Sequence, residues 1–131
     1  MFNRRFFIGA LALGAALSLS LLASALTPAA YSPLPFAAAQ AAGKPILLHI
    51  TAPWCPTCKA QKPVLSKLEG TAKFKDMVVL DIDFDTSKDL LRQLHVAQQS
   101  TLIVYKGKQE VGRSTGDTNS ASIETLLGKA I

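Results

Sequence analysis

The chain holds two cysteines, Cys55 and Cys58, in the run Trp54-Cys55-Pro56-Thr57-Cys58-Lys59. Thiols at this spacing can serve as a structural staple, as part of a metal site or as a redox couple. A staple gains little from so short a loop. In the chain-entropy account, closing a four-residue loop is worth about 2 kcal/mol, against roughly 4.7 kcal/mol for a hundred-residue loop. A structural zinc site wants a full set of Cys or His ligands, and only His49 and His95 could join the cysteines, neither at finger spacing. Haem attachment needs a His directly after the second cysteine, where Lys59 stands. A redox couple needs one sulfur that ionises readily and a second within its reach, since only the thiolate attacks.

The flanking elements decide whether the sulfurs meet that demand. Lys44-Pro45 opens a short apolar run, Ile46-Leu47-Leu48-His49-Ile50, the pattern of a strand buried on both faces. After Pro53-Trp54 the spacing turns helical, with Ala60, Val64, Leu65 and Leu68 on one face, Pro63 inside the helix and Gly70 at its end. The cysteines therefore fall where a buried strand meets a helix N-terminus, whose unpaired N–H groups and partial positive charge favour a thiolate. Cys55 is expected at the cap, exposed and acidic, and Cys58 one turn on and buried. Pro56 suits a first turn, where a missing N–H costs little. Trp54 would shield the site and Lys59 would add positive charge. Met77–Asp83 reads as a second strand, and Thr86 or Ser87 as the cap of a helix carrying Leu90, Leu91 and Leu94. Thr101–Tyr105 and Gln109–Ser114 read as a hairpin about Lys106-Gly107-Lys108, followed by a helix capped at Asn119 or Ser120 with Ile123, Leu126 and Leu127 inward. The order is β-α-β-α-β-β-α, an α/β domain over 44–131 with a mixed sheet of about four strands and three flanking helices.

The Trp54-Cys55-Pro56-Thr57-Cys58-Lys59 run, followed by Pro63, resembles the active-site stretch of the thioredoxin family. The element order is similar to that fold, and Gly116 resembles the family's glycine after the last strand. The resemblance implies thiol–disulfide exchange through a redox-active Cys55–Cys58 disulfide, with no cofactor, no metal and protein thiols or disulfides as partners. It also exposes two departures. Where the family usually has a buried Asp paired with a Lys on the next strand, this chain offers His49 and Asp81. His49, oriented by Asp81, could then help to move the proton of Cys58; the plainer alternative is a core histidine with one satisfied hydrogen bond. Where the family has a cis-proline facing the cysteines, Ser100 stands. A cis peptide before a non-proline residue costs roughly 3 kcal/mol, so a trans bond at Gln99-Ser100 and an altered loop are expected. Ser100 would bring a hydroxyl and an N–H towards the sulfurs.

Residues 1–43 differ from the rest. Met1 to Gly9 carries Arg4-Arg5, an apolar run continues to Leu26, and no acidic residue precedes Glu69. This describes a signal peptide cleaved after Ala25 or Ala39, or an uncleaved anchor. Asn3-Arg4-Arg5-Phe6-Phe7-Ile8 is similar to the bacterial twin-arginine export signal. Leu26–Gly43 reads as an Ala/Pro-rich tether. Either route places the domain in the periplasm or on the inner membrane facing it. Without Arg4 and Arg5 the formal charge falls from +5 to +3. The basic residues of the remainder are scattered among acidic ones, which argues against a nucleic-acid partner. Two functions remain. One is an exported, monomeric protein-disulfide oxidoreductase, more reductive than oxidative, recharged by a membrane electron carrier. The other is a copper- or zinc-handling module using the same cysteines with His49.

Overall fold

The computed structural model describes residues 28–131. The basic and apolar leader, with Arg4-Arg5 and the cleavage point at Ala25, lies outside the described residues. Five strands and four helices follow: β1 Ala29–Ala30, α1 Pro33–Ala41, β2 Pro45–Thr51, α2 Pro56–Glu69, β3 Val78–Asp83, α3 Lys88–Gln93, β4 Thr101–Lys106, β5 Gln109–Thr115 and α4 Ser120–Gly128. The sheet order is β1-β3-β2-β4-β5. β1 and β2 run parallel to β3, and β4 runs antiparallel to both β2 and β5.

β2 is the central strand. Residues Ile46 to Ile50 are all buried, because helices cover both faces of the sheet. Alternate side chains divide between two cores. Leu47 joins Leu65, Leu68, Val79, Leu102, Ile123 and Leu127 beneath α2 and α4. Ile46, Leu48 and Ile50 join Leu80, Ile82, Leu91 and Ile103, with Ala39 of α1 and Leu91 of α3 closing that side. The expected β2, α2, β3, hairpin and α4 are all present, and Asn119 caps α4 by accepting from the Ser122 N–H at 3.0 Å.

Three expectations are corrected. The stretch expected as a tether before Lys44 is folded from Ala29 onward. Pro33 and Pro35 start α1 rather than breaking a chain, since proline is tolerated in a first turn. The alanines that follow are the strongest helix formers. β1 pairs with Leu80 and Asp81, and the Tyr31 N–H donates to the Asp81 carbonyl at 2.8 Å. The Tyr31 and Phe36 rings lie 5.5 Å apart, as do Phe36 and Tyr105, and these contacts fasten α1 to the sheet. Cleavage after Ala39 would therefore cut α1. Second, Ala60 is exposed. The buried face of α2 is Cys58, Gln61, Leu65 and Leu68, a phase that turns Ala60 outward. Third, neither Thr86 nor Ser87 caps α3 with its side chain: Ser87 is the N-cap without a side-chain bond. Asp83 instead organises the turn, accepting from the Asp85 and Thr86 N–H groups and the Thr86 hydroxyl at 2.9, 2.9 and 3.1 Å. Among the described residues no helix is long and apolar enough to cross a membrane.

Candidate active site

Cys55 is the N-cap residue of α2, with extended backbone (φ −82°, ψ 109°), and Pro56 occupies the first helical position. A cap side chain normally satisfies one of the orphan N–H groups of the first turn. Here a sulfur does so: the Cys58 N–H donates to Cys55 Sγ at 3.0 Å. The two cysteines are joined as a disulfide, with Cα atoms 5.3 Å apart. Thr57 lies between them, half-buried, and Lys59 is exposed at the following position.

Cys58 is buried as expected, but Cys55 is not exposed. In the oxidised form it is only 1% exposed and packs with Ala52, Cys58 and Phe84. Its sulfur is bonded to Cys58 and accepts the Cys58 N–H at the helix end. The exposed apolar surface is Trp54, at 55%. Its indole N–H donates to Asp85 at 2.8 Å, and its ring stands edge-on to Phe84 at 6.5 Å. The Lys88 ammonium lies 3.9 Å from the centre of the Phe84 ring, a cation–π contact that steadies this wall. Asp85 and Phe84 were not singled out from sequence, because a polar–aromatic pair after a strand carries no motif.

His49 and Asp81 face each other in the β2–β3 register, with Nδ1 and Oδ1 3.5 Å apart. His49 is 2% exposed. Its Nε2 meets a residue the sequence did not advertise, Gln61, whose Oε1 lies 3.1 Å away. The Gln61 amide N–H groups donate to the Ser100 carbonyl at 3.0 Å and the Asp117 carbonyl at 2.8 Å. Gln61 is fully buried one helical turn after Cys58. A polar residue at spacing i+3 from a buried cysteine is the signal that could have found it. Next to this chain lies a cavity of about 210 Å³, lined by Pro28, His49, Lys62, Ser66, Glu69 and Asp81 among others. Glu69 is 4% exposed, and its Oε1 and Asp81 Oδ1 lack hydrogen-bond partners. Burial pushes the Glu69 carboxyl above the ordinary carboxylate range, the Asp81 charge adds to the rise, and His49 opposes it.

Ser100 sits in a left-handed conformation, φ +57°, on a trans peptide: among the described residues there is no cis bond. Its groups do not reach out to the sulfurs as expected. The N–H donates to the Ile50 carbonyl at 2.8 Å, and the hydroxyl donates to the Gln99 carbonyl at 2.6 Å. That N–H bond lies just past the end of the β2–β4 ladder, which stops at the Ile50–Thr101 pair. The same Ile50 oxygen lies 4.0 Å from Cys58 Sγ, so the loop's acceptor stands beside the sulfur. The Ser100 carbonyl also accepts from the Gly116 N–H at 3.0 Å. Among the described residues no group of three or more His, Cys, Asp and Glu is placed to hold a metal ion.

The arrangement is a dithiol–disulfide couple at a helix N-terminus, with a buried histidine paired to a half-buried carboxylate nearby and an aromatic shoulder beside it. The family model described as Thioredoxin matches residues 33–129. A thioredoxin of Mycobacterium tuberculosis is 34% identical over 88 residues, spanning 67% of this chain and 75% of that protein. A thioredoxin of Chlamydia trachomatis is 35% identical over 84 residues, spanning 64% of this chain and 80% of that protein. The crystal structure of Trxlp from Edwardsiella tarda EIB202 is similar with a TM-score of 0.74 and 42% identity, covering 77% of this chain and 98% of that chain.

Proposed function

The chain belongs to the thioredoxin family, and from that premise we propose that it works as an exported reductant of protein disulfides. It is a protein-disulfide oxidoreductase whose Cys55–Cys58 pair fits the family's Cys-x-x-Cys site. The observation that carries the proposal is the Cys58 N–H aimed at Cys55 Sγ at the start of α2. When the disulfide is open, that N–H and the helix N-terminus stabilise negative charge on the Cys55 sulfur.

In the reducing direction the Cys55 thiolate attacks one sulfur of the substrate disulfide. A mixed disulfide forms and the other substrate sulfur leaves as a thiolate. Cys58 loses its proton and attacks Cys55 Sγ, expelling the second substrate sulfur. Two electrons pass from the dithiol to the substrate, and the enzyme is left as the disulfide. Trp54 and its neighbours offer the flat apolar surface on which a polypeptide would rest. We assign the His49–Asp81 pair the task of easing the loss of the Cys58 proton.

The leader over residues 1–27 supports export to the periplasm, by a twin-arginine or ordinary route, with cleavage at Ala25 leaving β1 and α1 whole. The periplasm is oxidising, so a reductant there needs electrons from a membrane carrier. The metal-handling alternative would need a bare His49 nitrogen beside the sulfurs, and both nitrogens are turned to Gln61 and Asp81. Insulin-disulfide reduction with dithiothreitol tests the activity: turnover lost in Cys55→Ser is expected, and turnover unaffected by Cys55→Ser sinks the proposal. Equilibration against glutathione tests direction. A potential well below that of glutathione is expected, and one above about −150 mV would mark an oxidant.

A further inference from the structure

Gln61 has one arrangement open to it. Its NH₂ is held by two main-chain carbonyls, Ser100 at 3.0 Å and Asp117 at 2.8 Å, which can only accept. That fixes the amide, so its oxygen faces His49 Nε2 at 3.1 Å. An amide oxygen cannot donate, and Nε2 must therefore carry a proton. The exchangeable position of the ring is then Nδ1, which lies 3.5 Å from Asp81 Oδ1. Both His49 and Asp81 line the cavity of about 210 Å³, which is roomy enough for water. The charged groups around it are Asp81 from β3 and Glu69 and Lys62 from α2. On the β4 side His49 is paired with apolar Leu102. From the loop before α4 only the Asp117 main-chain carbonyl reaches Gln61, its carboxylate being turned to Asn119 and Ser122.

We propose that Gln61 is a positioning residue for the disulfide chemistry: it holds His49 protonated at Nε2, so that the buried ring exchanges protons through Nδ1, Asp81 and the cavity rather than directly with Cys58. His49, on β2 next to Ile50, whose carbonyl lies 4.0 Å from Cys58 Sγ, then acts on the sulfur through its charge. The same amide ties that proton state to the Ser100 carbonyl, and so to the left-handed loop beside the couple. This rests on the oxidoreductase reading and specifies how its His49–Asp81 pair works.

Long-range ¹H–¹⁵N correlation on the oxidised wild-type protein reads the His49 ring directly, with no substitution. A protonated Nε2 between pH 6 and pH 8 is expected, and a bare Nε2 overturns the proposal. Gln61→Met removes the amide at similar volume. The ratio of insulin-reduction rates at pH 6 and pH 8 should change by at least about threefold, and the change should vanish when Gln61→Met is made in a His49→Leu background. A purely structural role would lower the rate evenly across pH and leave the ring signals as in wild type; that result also overturns it. If Gln61→Met does not fold, the wild-type spectrum decides alone. Failure of the oxidoreductase reading would look different, as wild-type protein without Cys55-dependent turnover.

Discussion

Ser100 offers the sharpest physical test, because its backbone conformation and its bonds pull in separable directions. At φ +57° a residue with a Cβ is strained, by about 1–2 kcal/mol. Glycine relieves that strain but carries extra entropy in the unfolded chain, about 0.5–1 kcal/mol. Alanine keeps the strain and, like glycine, loses the hydroxyl bond to the Gln99 carbonyl. Ser100→Gly should thus be more stable than Ser100→Ala by about 0.5–1 kcal/mol, or about 2–8 °C in Tm for a domain of this size. Proline fixes φ near −65° and has no N–H. It would strip the buried Ile50 carbonyl of its donor and pull the Ser100 carbonyl from Gln61 and Gly116. Those losses amount to about 3–5 kcal/mol, a fall in Tm of more than about 12 °C. Thermal unfolding of the oxidised proteins, followed by circular dichroism, reads all three variants. If alanine is more stable than glycine by about 0.5–1 kcal/mol, glycine's entropy stands unopposed and the positive φ is not costing the loop anything. If proline lies within about 1 kcal/mol of wild type, the loop can be laid differently without loss, and the bonds named here do not hold it.

Other substitutions probe the surroundings. Glu69 has its carboxyl raised by burial first and by Asp81 next, so ionising it costs the folded state. Stability is fully present below the ordinary carboxylate range and falls as pH rises through the raised value; Glu69→Gln should therefore raise Tm at pH 8 and leave it nearly unchanged at pH 4. Asp83 is lowered chiefly by the Thr86 N–H, so its contribution is present above the ordinary carboxylate range and disappears as pH falls through the depressed value. Asp83→Ala should lower Tm at pH 7 and flatten its decline in acid, with wild-type acid sensitivity counting against the capping role. A chain begun at Lys44 loses β1, the Tyr31–Phe36–Tyr105 contacts and Ala39. The burial forgone is worth several kcal/mol, at roughly 25 cal/mol per Å², and an undiminished melting temperature would show α1 to be dispensable.

The sequence made the couple legible because its parts are local. Strand, cap, Pro56 and helix follow one another within a few residues, and hydrophobic period reports each of them. β1 was invisible for the opposite reason: two alanines have no period, and their strand exists only because β3 has an open edge at Leu80 and Asp81. α1 was hidden because its Ala/Pro-rich composition reads as a tether, although a first helical turn accepts both Pro33 and Pro35. The phase of α2 was misjudged because Ala60 is apolar. Once Cys58, Leu65 and Leu68 set the face, the buried position between them goes to Gln61, which looks from sequence like an ordinary solvent-facing helix residue.

That single shift of phase joins the chain's two departures from its family. His49 and Asp81 could be paired from register, and Ser100 could be seen to replace a proline, but nothing in the sequence connected them. The connection is geometric. A serine at position 100 has an N–H, which the Ile50 carbonyl takes at 2.8 Å. Its carbonyl is then placed to accept from Gln61, and Gln61 in turn presents an oxygen to His49. A buried carboxylate at position 49 could not make that last bond, since an amide oxygen offers it no proton. Histidine at 49, glutamine at 61 and serine at 100 therefore work as a set, and replacing only His49 or only Ser100 by the family's usual residue should be worse than replacing both together with Gln61. The stability and the pH profile of His49→Asp, Ser100→Pro and the combined variant with Gln61 replaced by an apolar residue measure this coupling. Additive effects would mean that the departures act independently.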